Sequence, residues 1–426
     1  MKLNDKYWKS LFEKYNILSE IEDNGSFTIS AKQIKEFREP RLMTKFDWFD
    51  SKPNLFKEND LSLLPISRGN YIISDFISHH EIESSYSYKT IPHDFPNYIK
   101  SINIRDIYSE SVALNTALIM GIIQDFIGDE EIVSTVNGRK SSKEFDFYVT
   151  KKNGEKLDIS VSNSQMEIDG AYEGYDYLSL FEAKIGYPKD FLIRQLYYPF
   201  RAFNNIIEKE IRNIFLFYSN DQFSLYEYSF KDKNSYNSIK LEKQSHYLLY
   251  DVNILLDDII NIYESVNTIP EPKVPFPQAD SFERVISLCE YLKWDKLNKN
   301  QIANNYSFNE RQSDYYANAA IYLGLVKKFD NGVYYLSKKG KEIFAMPFKE
   351  KQLKLVECIL KHNVFNMSFK YYVKSGEIPS KDTIVEYMKK CKLYELNSEE
   401  TYKRRASTIS GWIKWILKLK DIEVSM

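Results

Sequence analysis

Two stretches near the middle of the chain, Gln165-Met-Glu167-Ile-Asp169-Gly-Ala-Tyr172 and Tyr177-Leu-Ser-Leu-Phe-Glu182-Ala-Lys184, decide how the sequence is read. In the first, an acidic residue ends an apolar stretch. In the second, an apolar run ends in Glu-Ala-Lys. Side chains along a strand alternate between faces, so Glu182 and Lys184 point the same way. Paired as neighbouring strands, the two stretches bring Asp169 to the same sheet edge, where two carboxylates meet one ammonium. Carboxylate oxygens suit Mg²⁺, which keeps several waters and needs few protein ligands. Such an ion lowers the pKa of a bound water and stabilises charge developing on a phosphoryl group, and Lys184 adds positive charge in the same place. A Glu-x-Lys is also common on exposed strands as a simple surface pair. Here it follows Tyr177 to Phe181, a run with a buried character, and buried charges are rare unless paired or bound to an ion.

Working outward, Ser109 to Ile127 carries a helical pattern that Gly128 stops, with Glu110 in its first turn. Strand-like runs follow at 131–136, 145–150 and 157–161, the last two joined through an Asn153-Gly154 turn. Pro188 then opens a helix through Asn205 that carries Arg194, Gln195, Tyr198 and Arg201, and 213–218 and 223–230 read as closing strands. In this order of elements, and in Asp169, Glu182 and Lys184, the chain resembles the PD-(D/E)XK nuclease superfamily and, within it, the type II restriction endonucleases. It departs from the family pattern at one place, where Glu167-Ile168 stands instead of a proline. The resemblance implies an α/β (α+β) core of helix, three strands, helix and strand, with Asp169 and Glu182 as metal ligands beside Lys184. It also implies that Glu110 completes the metal site, although a Glu there is equally a favourable charge at a helix N-terminus. Gln195 matches a family glutamine that orients the phosphate or the lysine. Tyr197 and Tyr198 read as core.

With 426 residues the chain has room for about two to four domains. No apolar run approaches the ~18 residues of a membrane span, and Met1-Lys-Leu-Asn-Asp-Lys-Tyr-Trp8 lacks the apolar centre of a signal peptide, so no membrane partner is expected. Cys289, Cys358 and Cys391 lie far apart without metal-site spacing and read as free thiols of a reduced, bacterial cytoplasm. The five histidines form no helix-spaced metal pair, and no Gly-x-x-x-x-Gly-Lys-Ser/Thr loop is present, so no nucleotide cofactor is expected.

The net charge of −2 hides an asymmetry, because residues 281–426 hold 26 Lys and Arg against 17 Asp and Glu. A solvated basic surface would explain that alone, and so would a phosphate-binding module. The pattern inside the region is more telling. An amphipathic helix at 282–292, a short helix at 299–303 and a third at 310–324 precede a hairpin around Asp330-Asn331-Gly332. Three helices and a two-stranded wing resemble a winged helix, whose third helix enters the major groove by its N-terminal part. Arg311, Gln312, Ser313 and Tyr315 are then candidates for reading bases, and Lys327, Lys328, Lys338 and Lys339 for phosphate contacts. Winged helices also mediate protein contacts. Helical patterns at 351–361, 381–388 and 398–417 resemble a second, winged-helix-like module. Its last helix offers Lys403, Arg404 and Arg405 to phosphate and packs Ile409, Trp412, Ile413, Trp415 and Ile416.

The N-terminal residues are less legible. Arg41, Lys45, Arg68 and Tyr71 suit an arm that clamps DNA, and the same region could be a structural cap on the core. Pro270, Pro272, Pro275 and Pro277 mark a linker. The expected organisation is an N-terminal recognition region (1–95), the nuclease core (96–265), the linker (266–280), a winged helix (281–347) and a second helical module (348–426). The expected activity is that of a sequence-specific type II deoxyribonuclease acting on double-stranded DNA with Mg²⁺, for which Mn²⁺ can substitute. A palindromic target would imply a symmetric homodimer, and a cognate DNA methyltransferase would be a functional, not physical, partner. The alternatives are another nuclease of the superfamily (modification-dependent, transposon-end or repair) and a non-catalytic winged-helix regulator.

Overall fold

Apolar–polar alternation marks the strands at 144–150 and 156–162, continuous apolar runs mark those at 177–185 and 210–219, and long-range partners set where they end. The computed structural model describes residues 3–83, 88–89, 91–129, 131–249, 253–305, 310–394, 396, 398–421 and 424–425. It is a mixed α/β structure with one large mixed sheet.

The N-terminal part runs α1 (Leu3–Lys14), α2 (Ile17–Asn24), β1 (Phe27–Ser30), α3 (Ala31–Lys35), α4 (Pro40–Met43), α5 (Asn54–Glu58), β2 (Ser62–Pro65) and β3 (Asn70–Ser74). The strands form a small antiparallel sheet in the order β1-β3-β2. Trp8 of α1 packs edge-on against Phe56 of α5 in a core shared with Ile29, Leu63 and Ile73 of that sheet. Ser30 starts α3 through a capping box with Gln33, which satisfies two backbone donors at once.

The central part continues with β4 (His79–Glu81), β5 (Tyr88–Lys89), α6 (Glu110–Ile119), α7 (Ile122–Ile127), β6 (Val133–Ser141), β7 (Glu144–Thr150), β8 (Lys156–Ser162), β9 (Gln165–Glu173), β10 (Tyr177–Ile185), β11 (Asp190–Leu192), α8 (Arg194–Asn204), β12 (Glu210–Ser219), β13 (Gln222–Phe230), β14 (Ile239–Leu248) and α9 (Leu256–Ser265). With β18 (Val424–Ser425), the large sheet has the order β18-β5-β14-β13-β12-β10-β9-β6. Strands β6, β9 and β10 are antiparallel neighbours, and β10 pairs in parallel with β12. A parallel pair needs a crossover, and α8 supplies it. Leu196, Tyr197 and Tyr198 of α8 pack on one face against Phe215 and Phe217. Ala113, Leu114 and Phe126 of α6 and α7 cover the other face against Phe181, Ala183 and Ile214.

Three expectations change here. The single helix of 109–127 is two helices, broken at Gly121, which takes φ +74°; a β-carbon there would lie 2.7 Å from His93 Cδ2. The helix expected from Pro188 begins only at Arg194, because Asp190 to Leu192 pairs with β4 as a strand. Strands β7 and β8 form a ribbon of their own outside the large sheet. The inward residues Phe145 and Phe147 of this ribbon pack edge-on against the tyrosines of α8.

The C-terminal part runs α10 (Phe282–Trp294), β15 (Leu297–Asn298), α11 (Lys299–Asn305), α12 (Glu310–Tyr322), β16 (Val326–Lys328), β17 (Val333–Leu336), α13 (Lys338–Phe344), α14 (Phe348–Leu360), α15 (Asn363–Ser375), α16 (Lys381–Lys390) and α17 (Glu399–Lys418). Its sheet has the order β15-β17-β16. Residues of 281–347 and 348–426 share one hydrophobic core, in which Phe282 of α10 lies between Trp412 and Trp415 of α17. The proline-rich segment is packed: Phe276 and Ala279 are buried, and the Ala279 carbonyl accepts the Trp412 indole N–H at 2.6 Å. Among the described residues no helix is long and apolar enough to cross a membrane.

Candidate active site

The ladder between β9 and β10 ends at the pair Phe181↔Gly170. Beyond it β10 continues alone on that side, and its open backbone groups are met by side chains. The Ala183 N–H donates to Asp169 Oδ2 at 2.8 Å, and Lys184 Nζ donates to the Ala183 carbonyl at 3.0 Å. A sheet edge inside a protein must find such partners, because an unpaired buried amide costs as much as a lost hydrogen bond. Gly170 lets α6 come close here, with Leu114 Cδ1 at 3.2 Å from where a β-carbon would sit.

Five sequence-predicted residues meet at this edge. Glu182, only 5% exposed, accepts hydrogen bonds from Lys184 Nζ and from Gln195 Nε2 of α8. Glu110 stands in the first turn of α6, which Ser109 caps by accepting the Val112 N–H, and its carboxylate lies 3.9 Å from Lys184 Nζ. Asp169 holds the β10 backbone as described. The other carboxamide atom of Gln195, Oε1, is buried with no hydrogen-bond partner. Of the run from Tyr177 to Phe181, Leu178 to Phe181 are buried and Tyr177 is half-buried.

The charges do not balance. Burial pushes the Glu182 carboxyl up to about 8; Lys184 opposes that shift, while Asp169 and Glu110 add to it. Burial also works against the Lys184 ammonium, but Glu182, Asp169 and Glu110 together hold its pKa above the ordinary lysine value. Partial burial raises Glu110, again against the pull of Lys184. Three carboxyl groups face one ammonium, so their full ionisation would leave excess negative charge, and all the donor atoms are hard oxygens. That set fits a hard divalent cation in kind and in charge. The present geometry is not closed around an ion: among the described residues no three acidic, histidine or cysteine side chains converge tightly enough to hold one. Lys184 is the reason we see, since its ammonium pairs with both Glu110 and Glu182.

The expected DNA-contacting residues are more scattered. Arg41 and Arg68 are exposed, the latter at the turn between β2 and β3, and Tyr71 lies in β3, half-buried. Lys45 is exposed, 3.4 Å from Asp47, and its charge reaches Glu110. Arg311 lies in α12, with its side chain outside the described residues. Gln312 donates to Asp50 Oδ2 at 2.6 Å, Ser313 is buried, and the Tyr315 ring faces the Arg405 guanidinium at 6.0 Å. Gln312 and Tyr315 of α12 are therefore packed against the N-terminal part and α17. Ser313 is placed as core and not at an open surface. Lys403 and Arg404 are exposed on α17, whereas Arg405 is half-buried. Lys327 and Lys328 on β16 and Lys338 at the start of α13 are exposed, and Lys339 donates to the Leu323 carbonyl. Asp50, and Ser287 and Tyr291 of α10, which touch the segment after Lys184, carried no sequence signal of their own.

Three family models match the chain. Each is described only as a domain of unknown function: DUF6996 over residues 5–73, DUF6997 over 74–248 and DUF7226 over 284–421. The acidic cluster, Lys184 and Gln195 lie within the second span. No curated protein and no solved structure matches the chain.

Proposed function

We propose that this chain is a Mg²⁺-dependent endonuclease of double-stranded DNA, of the restriction type, with a PD-(D/E)XK core and a winged-helix module. The observation that carries the reading is the convergence of Glu110, Asp169, Glu182, Lys184 and Gln195 from α6, β9, β10 and α8 at one unpaired sheet edge. Helix α6, antiparallel β6, β9 and β10, crossover α8 and parallel β12 follow in the order that such a core requires, which supports it. The sequence α10-β15-α11-α12-β16-β17, with strand order β15-β17-β16, supports the winged-helix part.

On this reading Glu110, Asp169 and Glu182 would hold the cation, with Mn²⁺ as a substitute and no nucleotide required. The ion would supply Lewis acidity at the phosphate and a more acidic water. The chain's own residues do the rest. Lys184, held charged by three carboxylates, places fixed positive charge where the phosphate gains negative charge. Gln195 fixes the Glu182 carboxylate from α8, and its free Oε1 can take a further donor. Asp169 keeps the β10 edge in register while presenting its second oxygen. Lys403 and Arg404 would meet phosphates, and Arg311 would reach base edges. The test is Asp169→Ala and Glu182→Ala: both should abolish cleavage of plasmid DNA in Mg²⁺ while DNA binding stays. A double variant that cuts at the wild-type rate would place the chemistry elsewhere.

A further inference from the structure

Beyond Lys184, β10 has one more open carbonyl, that of Ile185. Tyr291 of α10 donates its hydroxyl to it at 2.6 Å. Two residues on, the Tyr187 N–H donates to Ser287 Oγ at 2.9 Å, one helical turn earlier on the same helix. Between them Gly186 takes φ +87°, and a β-carbon there would lie 1.6 Å from the Tyr291 hydroxyl oxygen, so only glycine admits this contact. The same helix holds the neighbouring strand: Ser287 Oγ lies 2.9 Å from Ser219 Oγ, and Glu290 accepts the Asn220 N–H at 3.0 Å. Tyr291 is 2% exposed and Ser287 1%.

The open edge of β10 is thus stitched by three side chains in succession. Asp169 meets the Ala183 N–H, Lys184 meets the Ala183 carbonyl and Tyr291 meets the Ile185 carbonyl. The first two belong to the candidate active site. The third comes from the first helix of the winged-helix module. We propose that Tyr291, with Ser287, is a positioning residue that fixes Lys184 at the candidate site and ties its placement to the seating of the winged-helix module; this rests on the nuclease reading. Removing the Tyr291 hydroxyl leaves a buried carbonyl unsatisfied one residue from Lys184, and the strand end relaxes at the point where the ammonium must stay aligned. Small misplacements of that kind reduce the chemical step far more than they reduce binding.

The test uses the full chain with Tyr291→Phe, which keeps the ring, and Ser287→Ala. Single-turnover cleavage with Mg²⁺, DNA affinity and the thermal midpoint are measured together, with the wild type in parallel. The expected result is cleavage on the order of tenfold slower in Tyr291→Phe, a smaller loss in Ser287→Ala, and an unchanged KM and DNA affinity. Wild-type cleavage by both variants, or a loss that appears only in KM, in affinity or in proportion to a fallen thermal midpoint, would overturn the positioning role. A wild type that does not cut DNA would overturn the nuclease reading itself, and the positioning role with it. If one variant fails to fold, the other decides.

Discussion

Replacing Lys184 with Met keeps the reach of the side chain and removes its ammonium. The Lys184 side chain is 14% exposed, and its partner Glu182 is more deeply buried still. Taking one partner from a buried pair costs about 3–5 kcal/mol when the other stays charged. Glu182 has a way out. Its carboxyl is already pushed up to about 8 with the ammonium present, and Lys184 is the group that opposes the rise. Without it the carboxyl keeps its proton to still higher pH, and below that point the cost falls to that of the lost charge-assisted bonds, about 1–3 kcal/mol. The sign with pH follows. An acid whose folded pKa lies above its unfolded value stabilises the fold when protonated, and that stability is lost as pH rises through the folded pKa. The gap in thermal midpoint between wild type and Lys184→Met should therefore widen from pH 6 to pH 9. A divalent cation should narrow it, because Glu110, Asp169 and Glu182 would then face the ion alone. At a hundred times its Kd an ion adds about 2.7 kcal/mol. Thermal unfolding at the two pH values, with and without Mg²⁺ or Ca²⁺, reads all of this without relying on activity. A variant as stable as wild type at both pH values and unmoved by either ion would refute the reasoning.

Other outcomes follow from the same contacts. Mg²⁺ affinity, measured by calorimetric titration, should rise from pH 6 to pH 9, since the Glu182 carboxyl must release its proton to serve as a ligand; a flat profile would contradict that. Arg311→Ala should cost about 1–3 kcal/mol on the cognate duplex and relax specificity at one base pair, whereas Lys403→Ala and Arg404→Ala should weaken cognate and scrambled duplexes alike and shallow the salt dependence. Binding isotherms across a salt series separate the two. Lys351→Met should destabilise the fold by about 3–5 kcal/mol in denaturant titration, because buried Lys351 of α14 pairs with Asp221 at 2.6 Å in the turn between β12 and β13.

How much of this was legible depended on the range of the contact involved. The two-residue period of a strand is local, so Glu182 and Lys184 on one face, with Asp169 beside them, could be read from the letters. Glu110 and Gln195 needed the order of elements and the resemblance to place them, and the structure brings both to the cluster. A lone glycine is tolerated inside a helical pattern, so Gly121 did not announce a break, and its close neighbour His93 lies outside the helix. Asp190 to Leu192 looked helical because Pro188 reads as a helix start, while its partner strand at 79–81 lies more than a hundred residues away. The docking of α12 on Asp50 and of α10 on Ile185 joins parts of the chain that no window of sequence contains. Gly186 was the one local trace of the second contact, and a lone glycine after a strand has many other meanings.

The central claim is tested most directly by incubating the purified chain with Mg²⁺ and with plasmid and genomic DNA, both methylated and unmethylated, and sequencing the ends produced. The account expects double-strand ends that recur at one defined sequence, vanish with EDTA and vanish in Asp169→Ala. The absence of such ends on every DNA, or cutting that survives exhaustive chelation, would contradict it.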